Sequence, residues 1–439
     1  MFHLTGLILY SLCCILIAKA IESVGIKKEY AFLTAILFAI IPSHEYQVAW
    51  IADQGESLVT IFLLFAFIYY ARNKVIALLF FIAALLVKES SFTGIFIPFL
   101  YLFIDNKEKK KILYVRDSFI GLAVIILLQS YRYFIIGGSP LSSGNFQNTG
   151  PIKWLTNFFI FIPLSFISPD NLERILFLKD PVLLIFSTAL IGVIIWYSIK
   201  SFRQVPDIKR KIIYLGAAWF LVFIIPALPK MMRWYVFTAS VGITFIFAPL
   251  LEQMNKKKFF IGFLTVVIIF FLYSDFTRMI TWKKSGEKMD IIVNSLKLYK
   301  GKSDFVIWCI PEKYKNIPLM KLGISETVGF AVNYKNPDVQ SPLRCEIFSD
   351  KSDIKYVMLN DSLIEFTLWG GRFKSLDGAS SSYNKTEHFF FADNGYKIEV
   401  NNGINGRVSK ALVILPPENK SLTNLYYNGA DFLPLAAKP

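Results

Sequence analysis

The sequence predicts a polytopic α-helical membrane protein, a bundle of about ten spans, with a C-terminal β-rich extracytoplasmic domain. Hydrophobic residues make up 54% of the 439 residues and charged residues only 18%, whereas soluble domains carry about 25% charge. The mean hydropathy is +0.49. Of the formal net charge of +15, a surplus of 11 lies in residues 1–273, which contain 25 of the 47 basic and 14 of the 32 acidic residues. Because the excess belongs to the apolar half, it indicates membrane topology and not a nucleic-acid partner.

Ten apolar runs within residues 1–273 are predicted to cross the bilayer, separated by short polar joints. Several runs are shorter than the ~20 residues that an upright span needs, so we expect their ends to extend into the joints. The predicted spans are 4–20, 30–42, 57–71, 75–87, 92–104, 112–136, 181–199, 212–228, 235–251 and 259–273.

Basic residues cluster in every second joint, and this alternation predicts the orientation of the bundle. One set of joints contains sixteen Lys and Arg residues and the other set contains six. The richer side is cytoplasmic by the positive-inside rule. The alternation requires that 153–168 does not cross, so we predict an interfacial or re-entrant helix on the outer face there. The expected location is a plasma membrane, such as the bacterial inner membrane.

After residue 273 the pattern changes to that of a separate, extracytoplasmic part. Residues 274–300 predict an amphipathic linker helix, and 301–439 a small β-rich domain with turn-forming clusters between its strands. Cys309 and Cys345 both lie in this domain, where a disulfide is permitted, and the sequence leaves open whether they pair. The predicted strands are 305–310, 327–334, 356–359, 364–369, 388–391, 396–400 and 411–415.

The polar residues with chemical potential fall in the external joints. The joint 43–56 contains His44, Glu45, Asp53 and Glu56. Carboxylates and an imidazole at a membrane surface can act as a general base, or can bind a divalent cation beside a phosphate. The alternative interpretation is a solvated loop whose aromatic residues belong to the interfacial belt. Three histidines in the whole chain exclude a His-rich metal site.

Three basic residues are candidates for binding a phosphate. Lys88 occupies a very tight external turn, against the charge rule, and Arg233 precedes two aromatic residues at the outer interface. Arg132 lies near the outer end of its predicted span. Such cations can bind a lipid phosphate, although snorkelling anchors and local ion pairs explain them as well.

One acidic cluster and three basic positions thus share the predicted external face. This arrangement suits a transferase that takes a sugar from a polyprenyl phosphate and moves it to an acceptor outside the cytoplasm. A membrane transporter is the alternative, but it predicts carboxylates deep in the membrane and broken helices, neither of which is evident in the sequence.

Four segments resemble GT-C glycosyltransferases of the protein O-mannosyltransferase type. Residues 2–10 (FHLTGLILY) resemble that family's FHLTNLLLH, and 38–44 (FAIIPSH) with 48–51 (VAWI) are similar to its FALHPIHVEAVAWI. Residues 86–89 (LVKE) resemble its LSKE turn, and 233–235 (RWY) its ERYLY segment before a late span. The order, spacing and sidedness agree over roughly residues 1–300.

The resemblance implies a GT-C fold, a polyprenyl-phosphate-linked sugar donor, and inverting transfer to a protein, glycan or lipid on the non-cytoplasmic face. It implies that His44 lies at the active-site loop and that Lys88 and Arg233 lie at the donor phosphate. The family's catalytic carboxylate precedes the FHLTN span, so the resemblance predicts that one span and its loop lack a counterpart here, either because the sequence is a fragment or because the usual base is lost. Asp53, Glu56 and Glu45 are then the expected bases, and a catalytically inactive subunit derived from such an enzyme is the alternative.

Overall fold

The computed structural model divides the chain into two compact units, Met1–Thr277 and Arg278–Pro439. The first is helical, and the second contains all the strands described. The structure describes residues 2–49, 53–104, 111–136, 150–166, 202–229, 235–254, 258–302, 304–314, 317–319, 327–328, 331–334, 338–340, 343–347, 353–360, 363–369, 371–374, 388–393, 396–402, 408–414, 423–427 and 432–434.

The helical unit is built from apolar helices, which lie where the sequence has apolar runs. Short 3₁₀ turns at Pro42–His44, Glu89–Phe96, Tyr101–Phe103 and Ile225–Ala227 connect or extend them. The α-helices are α1 (Phe2–Ser23), α2 (Lys28–Ala39), α3 (Glu45–Ala49), α4 (Gln54–Tyr70), α5 (Lys74–Val87), α6 (Ile97–Leu100), α7 (Lys111–Ile136), α8 (Pro151–Leu164), α9 (Asp207–Ile224), α10 (Val236–Met254) and α11 (Lys258–Leu296).

Within the described part of the chain, four helices are long and apolar enough to cross a membrane. They are His3–Ser23, Lys111–Ile135, Val236–Gln253 and Leu264–Tyr299. A fifth crossing results if Lys28–Ala39 and Pro42–Ala49, which are bent by 59° relative to each other, form one broken span. These lengths and compositions are consistent with a membrane protein.

The other predicted spans correspond to shorter helices or lie outside the described residues. Gln54–Tyr70, Lys74–Val87 and Ser90–Phe103 are apolar but have fewer residues than an upright crossing needs. The predicted span 181–199 lies outside the described residues. The segment predicted as an interfacial helix is helical over Pro151–Leu164, and ten crossings remain a prediction.

The break between α2 and α3 has a local cause. Pro42 opens the 3₁₀ turn Pro42–His44, and the preceding Ile41 is extended with φ −68° and ψ 121°. A proline disfavours the helical conformation at the residue before it and lacks the N–H that would continue the helix. The chain is therefore redirected here, and the predicted span 30–42 ends before its last residues.

The site is positioned by helix α4 and by the packed pair of helices α9 and α10. Gly216 and Gly242 bring α9 and α10 very close, because a Cβ built on either glycine would lie 2.4 Å from the other's carbonyl oxygen. About one turn after Gly216, Trp219 of α9 packs edge-on against Phe67 of α4, with ring centroids 5.6 Å apart. The aromatic contact fixes α4 against α9 in the core.

The last helix, α11, runs for 39 residues without a break. The segment predicted as a linker helix is therefore continuous with the apolar segment before it. Ile292 and Leu296, near the end of α11, belong to the second unit and are fully buried in the core of its β-rich part.

The second unit contains three sheets. Their strand orders are β13-β12-β1-β4, β6-β7-β11-β10-β9 and β3-β2-β5-β8. The strands are β1 (Asp304–Trp308), β2 (Ile310–Tyr314), β3 (Ile317–Pro318), β4 (Asp338–Gln340), β5 (Arg344–Ile347), β6 (Asp353–Asn360), β7 (Leu363–Trp369), β8 (Gly371–Lys374), β9 (His388–Asp393), β10 (Tyr396–Asn402), β11 (Val408–Ile414), β12 (Thr423–Tyr427) and β13 (Phe432–Pro434).

The five-stranded sheet is antiparallel throughout and follows the alternation that predicted it. Ile364, Phe366 and Leu368 of β7 are fully buried, and the residues between them are partly exposed. This is the period-two pattern of a sheet with one face on the core. Cys309 and Cys345 are buried thiols that form no disulfide with each other, and the Cys345 thiol donates a hydrogen bond to the Cys309 carbonyl oxygen at 3.1 Å.

The strand predicted at 327–334 is wrong. Residues 327–328 and 331–332 are helical. Val328, Ala331 and Val332 are the buried side chains, and their spacing of three and four residues is that of one helix face. A short apolar run does not distinguish the two periods, and here tertiary packing selects the helix.

Candidate functional site

Glu56 is the buried carboxylate at the start of α4. Asp53 occupies the N-cap position and Glu56 lies in the first turn, where the helix dipole and the free backbone N–H groups favour a negative charge. Only 3% of the Glu56 residue is exposed. A carboxylate this deeply buried needs a partner.

Lys88 supplies that partner. Helix α5 ends at Val87, and Lys88 is extended with φ −157° and ψ 136°, so the chain turns there. The Ser91 hydroxyl donates to the Lys88 carbonyl oxygen at 2.7 Å and stabilises the turn. The Lys88 ammonium forms an ion pair with Glu56 Oε1 and lies 4.5 Å from the centroid of the Tyr235 ring.

The surroundings of Lys88 favour its charged form. Burial alone would lower the pKa of Lys88, but attraction to Glu56, to Tyr235 and to Asp53, together with the hydrogen bond to Glu56, raises it above its ordinary value. Lys88 thus carries its charge at any physiological pH. It remains 25% exposed, whereas the Glu56 side chain is 3% exposed, so the cation is the accessible member of the pair.

Hydroxyl groups from two helices support the other side of Glu56. Thr238 of α10 donates to Glu56 Oε2 at 3.4 Å, and its hydroxyl lies 2.8 Å from that of Thr60. The Thr60 hydroxyl also donates to the Glu56 carbonyl oxygen at 2.8 Å. Trp219 fixes the backbone of this segment, because its indole N–H donates to the Thr238 carbonyl oxygen at 2.9 Å.

Asp53 lies near this pair but has a different environment. It is 2% exposed, and its Oδ2 accepts a hydrogen bond of 2.7 Å from the Gln47 side-chain amide. Burial and repulsion by Glu56 raise the pKa of Asp53 well above its ordinary value, against the opposing effects of Lys88 and Gln47. Asp53 therefore keeps its proton to a higher pH than an ordinary aspartate does.

His44 is enclosed in the core. Its Nε2 lies 2.9 Å from the Ser240 hydroxyl, and its Nδ1 lies 3.1 Å from the Phe38 carbonyl oxygen and 3.2 Å from the Tyr10 hydroxyl. The ring packs edge-on against Phe237 with centroids 5.0 Å apart. With both ring nitrogens engaged and 2% of the residue exposed, His44 is suited to holding the loop that carries Asp53.

The remaining predicted site residues are dispersed. Glu45 is half-buried in the first turn of α3, within electrostatic range of Asp275 in α11. The half-buried Arg132 of α7 donates to the Leu85 carbonyl oxygen at 3.2 Å, beside the end of α5. Arg233 lies outside the described residues, two positions before Tyr235.

A cleft opens beside Glu56. It is lined by the polar residues Glu56, Ser90, Tyr235 and Thr238 and by apolar residues that include Leu63 and Phe223. Its closed space is about 10 Å³, which is room for about one water molecule. A larger ligand therefore requires the lining side chains to move.

The described residues do not fit a divalent cation at this cleft. No three His, Cys, Asp or Glu side chains cluster anywhere in the described ranges so as to hold a metal ion. Glu56 is paired with an ammonium group, which would repel a second cation. No step of the chemistry below is therefore assigned to a metal.

Several residues of the site have no recognisable signal in the sequence. Thr60 and Thr238 lie in apolar helices that contain other hydroxyl residues, such as Ser57 and Ser240, and Gln47 is one polar residue in a segment that has several. The hydroxyl groups within these apolar segments are the sequence feature that could have identified the two threonines as candidates. Tyr235 was identified only as an aromatic neighbour of Arg233.

Comparison with protein-family models, with curated protein sequences and with solved structures finds no match to this chain.

Proposed function

We propose that this protein is a membrane glycosyltransferase of the GT-C type, which moves a sugar from a polyprenyl phosphate to an acceptor protein, glycan or lipid on the non-cytoplasmic face. The observation that carries the proposal is Lys88. It is a part-buried ammonium at a tight turn, paired with a buried carboxylate beside a cleft lined by both polar and apolar residues. A lipid phosphate requires a cation next to an apolar surface.

The chemistry would use Glu56 and Lys88. Glu56 accepts the proton of the acceptor hydroxyl as its oxygen forms a bond to the anomeric carbon of the donor sugar. The bond between that carbon and the phosphate oxygen breaks, and the polyprenyl phosphate leaves with the bonding electron pair. Lys88 stabilises the charge that develops on the departing phosphate, and Arg132 and Arg233 are proposed to bind the donor nearby.

The proposal also includes the topology. Ten spans, with the joint around Lys88 outside and the β-rich domain extracytoplasmic, follow from the sixteen basic residues in the alternate joints. The resemblance of residues 2–10, 38–44, 86–89 and 233–235 to GT-C enzymes supports the same assignment. Glu56 is the proposed base among the carboxylates of the joint 43–56.

A transporter is the second candidate, and one observation favours it. The helices Lys28–Ala39 and Pro42–Ala49 are bent by 59°, and broken helices form substrate sites in many secondary transporters. A transporter predicts that purified protein in vesicles moves a lipid or solute across the bilayer without covalent change. Transfer of label to an acceptor would exclude this candidate as the main activity.

The test compares Lys88→Gln with Lys209→Gln in the full-length protein. Lys209 forms an ion pair with Glu252 at 2.8 Å with side-chain exposures of 28% and 8%, which matches the burial of the Lys88 pair. Membranes would be supplied with radiolabelled polyprenyl-phosphate mannose or polyprenyl-phosphate glucose, and labelled acceptor would be counted. We expect Lys88→Gln to lose about 100-fold or more in transfer and Lys209→Gln to retain it. Full activity of Lys88→Gln would exclude this site.

A further inference from the structure

Both carboxylate oxygens of the proposed base are already in contact with other groups. Glu56 Oε1 is in contact with the Lys88 ammonium, and Oε2 accepts from Thr238. The ammonium compensates the negative charge of the carboxylate and occupies the oxygen that faces it. As described, the site therefore holds its base in a resting form.

The same contact also occupies the proposed phosphate ligand. The Lys88 ammonium lies between the Glu56 carboxylate and the Tyr235 ring, and both residues line the cleft. A phosphate entering the cleft thus meets a cation that is already neutralised by a carboxylate. The two anions compete for one ammonium.

We infer that the Lys88–Glu56 ion pair is a latch, opened when the phosphate of a polyprenyl-phosphate donor takes Lys88 from Glu56 and thereby frees Glu56 to act as the base. This inference rests on the proposed function and adds its regulation. The acceptor hydroxyl can then be deprotonated only when a donor is bound.

The surroundings make this exchange feasible. Lys88 stays paired, first with a carboxylate and then with a phosphate, so its buried charge is never left alone. The freed Glu56 keeps the hydrogen bond from Thr238 and its place in the first turn of α4, where the helix dipole stabilises an anion. Lys88 is on a flexible stem and is 25% exposed, so its ammonium can turn toward the cleft.

The experiment measures binding of a donor analogue to purified full-length protein. Methyl farnesyl phosphate is a suitable probe, because a phosphodiester keeps one negative charge across the working pH range, and farnesol controls for the chain alone. If Glu56 competes for Lys88, Glu56→Gln binds the diester about tenfold more tightly than wild type, although sugar transfer is lost. Equal or weaker binding by Glu56→Gln would overturn the latch.

Two further variants keep the test decisive. Glu56→Asp preserves the charge but shortens the reach to Lys88, so its binding should lie between wild type and Glu56→Gln even if the latter folds poorly. Glu252→Gln removes the carboxylate of the Lys209 pair and should leave binding unchanged. If Lys88→Gln does not weaken diester binding, the proposed phosphate site fails. If it does and neither Glu56 variant tightens binding, only the latch fails.

Discussion

The two carboxylates at the start of α4 are both buried, but they have different partners. Glu56 is paired with Lys88, whereas the polar contact described for Asp53 is an amide hydrogen bond from Gln47. An amide stabilises a carboxylate much less than an ammonium does. The two side chains are three residues apart in sequence, and only the folded environment separates their roles.

Asp53→Asn tests this difference through pH. Because the pKa of Asp53 is raised in the folded protein, the native state keeps a proton that the unfolded chain loses near pH ~4. Wild-type stability then falls as the pH rises from that value toward the folded pKa. Asparagine cannot ionise, so Asp53→Asn should melt at a higher temperature than wild type at neutral pH, with the advantage disappearing in acid.

The melting temperature in detergent, followed by circular dichroism across pH, measures this effect. Asp353→Asn is the control, because the Asp353 side chain is 50% exposed and should give no such pH-dependent gain. If Asp53→Asn melts below wild type at neutral pH, the ionised form of Asp53 stabilises the fold and the assignment above is wrong.

At the scale of elements, the crossing of α9 and α10 positions Thr238 and therefore Glu56. Gly216 and Gly242 are needed there because the backbone of each helix occupies the space of the other's Cβ. Gly216→Ala would place a methyl group 2.4 Å from the Gly242 carbonyl oxygen, and the helices would have to separate. We expect a loss of about 1–3 kcal/mol of stability, seen as a lower melting temperature, with reduced transfer.

Gly262→Ala in α11 is the matched substitution. A Cβ there meets nothing within 4 Å, so the change should be neutral or stabilising by up to ~1 kcal/mol through helix propensity. Equal melting temperatures for the two alanine variants would show that the close crossing does not constrain the fold.

The sequence predicts elements well where one local pattern decides them. Long apolar runs gave the helices, and alternation gave β7 and β11, because both signals depend on neighbouring residues. At residues 327–334 the run is too short to separate a period of two from one of 3.6, and a strand was predicted where Val328 and Val332 bury a helix face. Pro42 is a local signal for the helix break that the span prediction did not use.

The site was predictable only as a set of residues and not as an arrangement. Glu56 and Lys88 were both identified, but their pairing joins positions 32 residues apart. The Thr238 contact to Glu56 joins positions 182 residues apart. Such contacts depend on how helices pack, which hydropathy and charge do not encode. His44 lies in the core of the helical unit. No pattern in the sequence around it distinguishes a buried imidazole from an exposed one.

For the whole molecule, the distribution of charge carries the prediction of orientation. Sixteen basic residues in alternate joints, against six in the others, predict that the joint with Arg72 and Lys74 is cytoplasmic and that the joint with Lys88 is outside. With ten spans, the same rule predicts that the C-terminal unit is extracytoplasmic. This matters for function, because the proposed transfer takes place on the non-cytoplasmic face.

Single introduced cysteines test this orientation. Arg72 is exposed at the end of α4, and the Lys355 side chain in β6 is 70% exposed, so both sites can react with a maleimide. The four native cysteines would first be replaced by alanine. In intact bacterial cells, a membrane-impermeant maleimide should label Lys355→Cys and should label Arg72→Cys only after permeabilisation. The reverse pattern would put Lys88 and Glu56 at the cytoplasmic face and would contradict both the orientation and the proposed side of transfer.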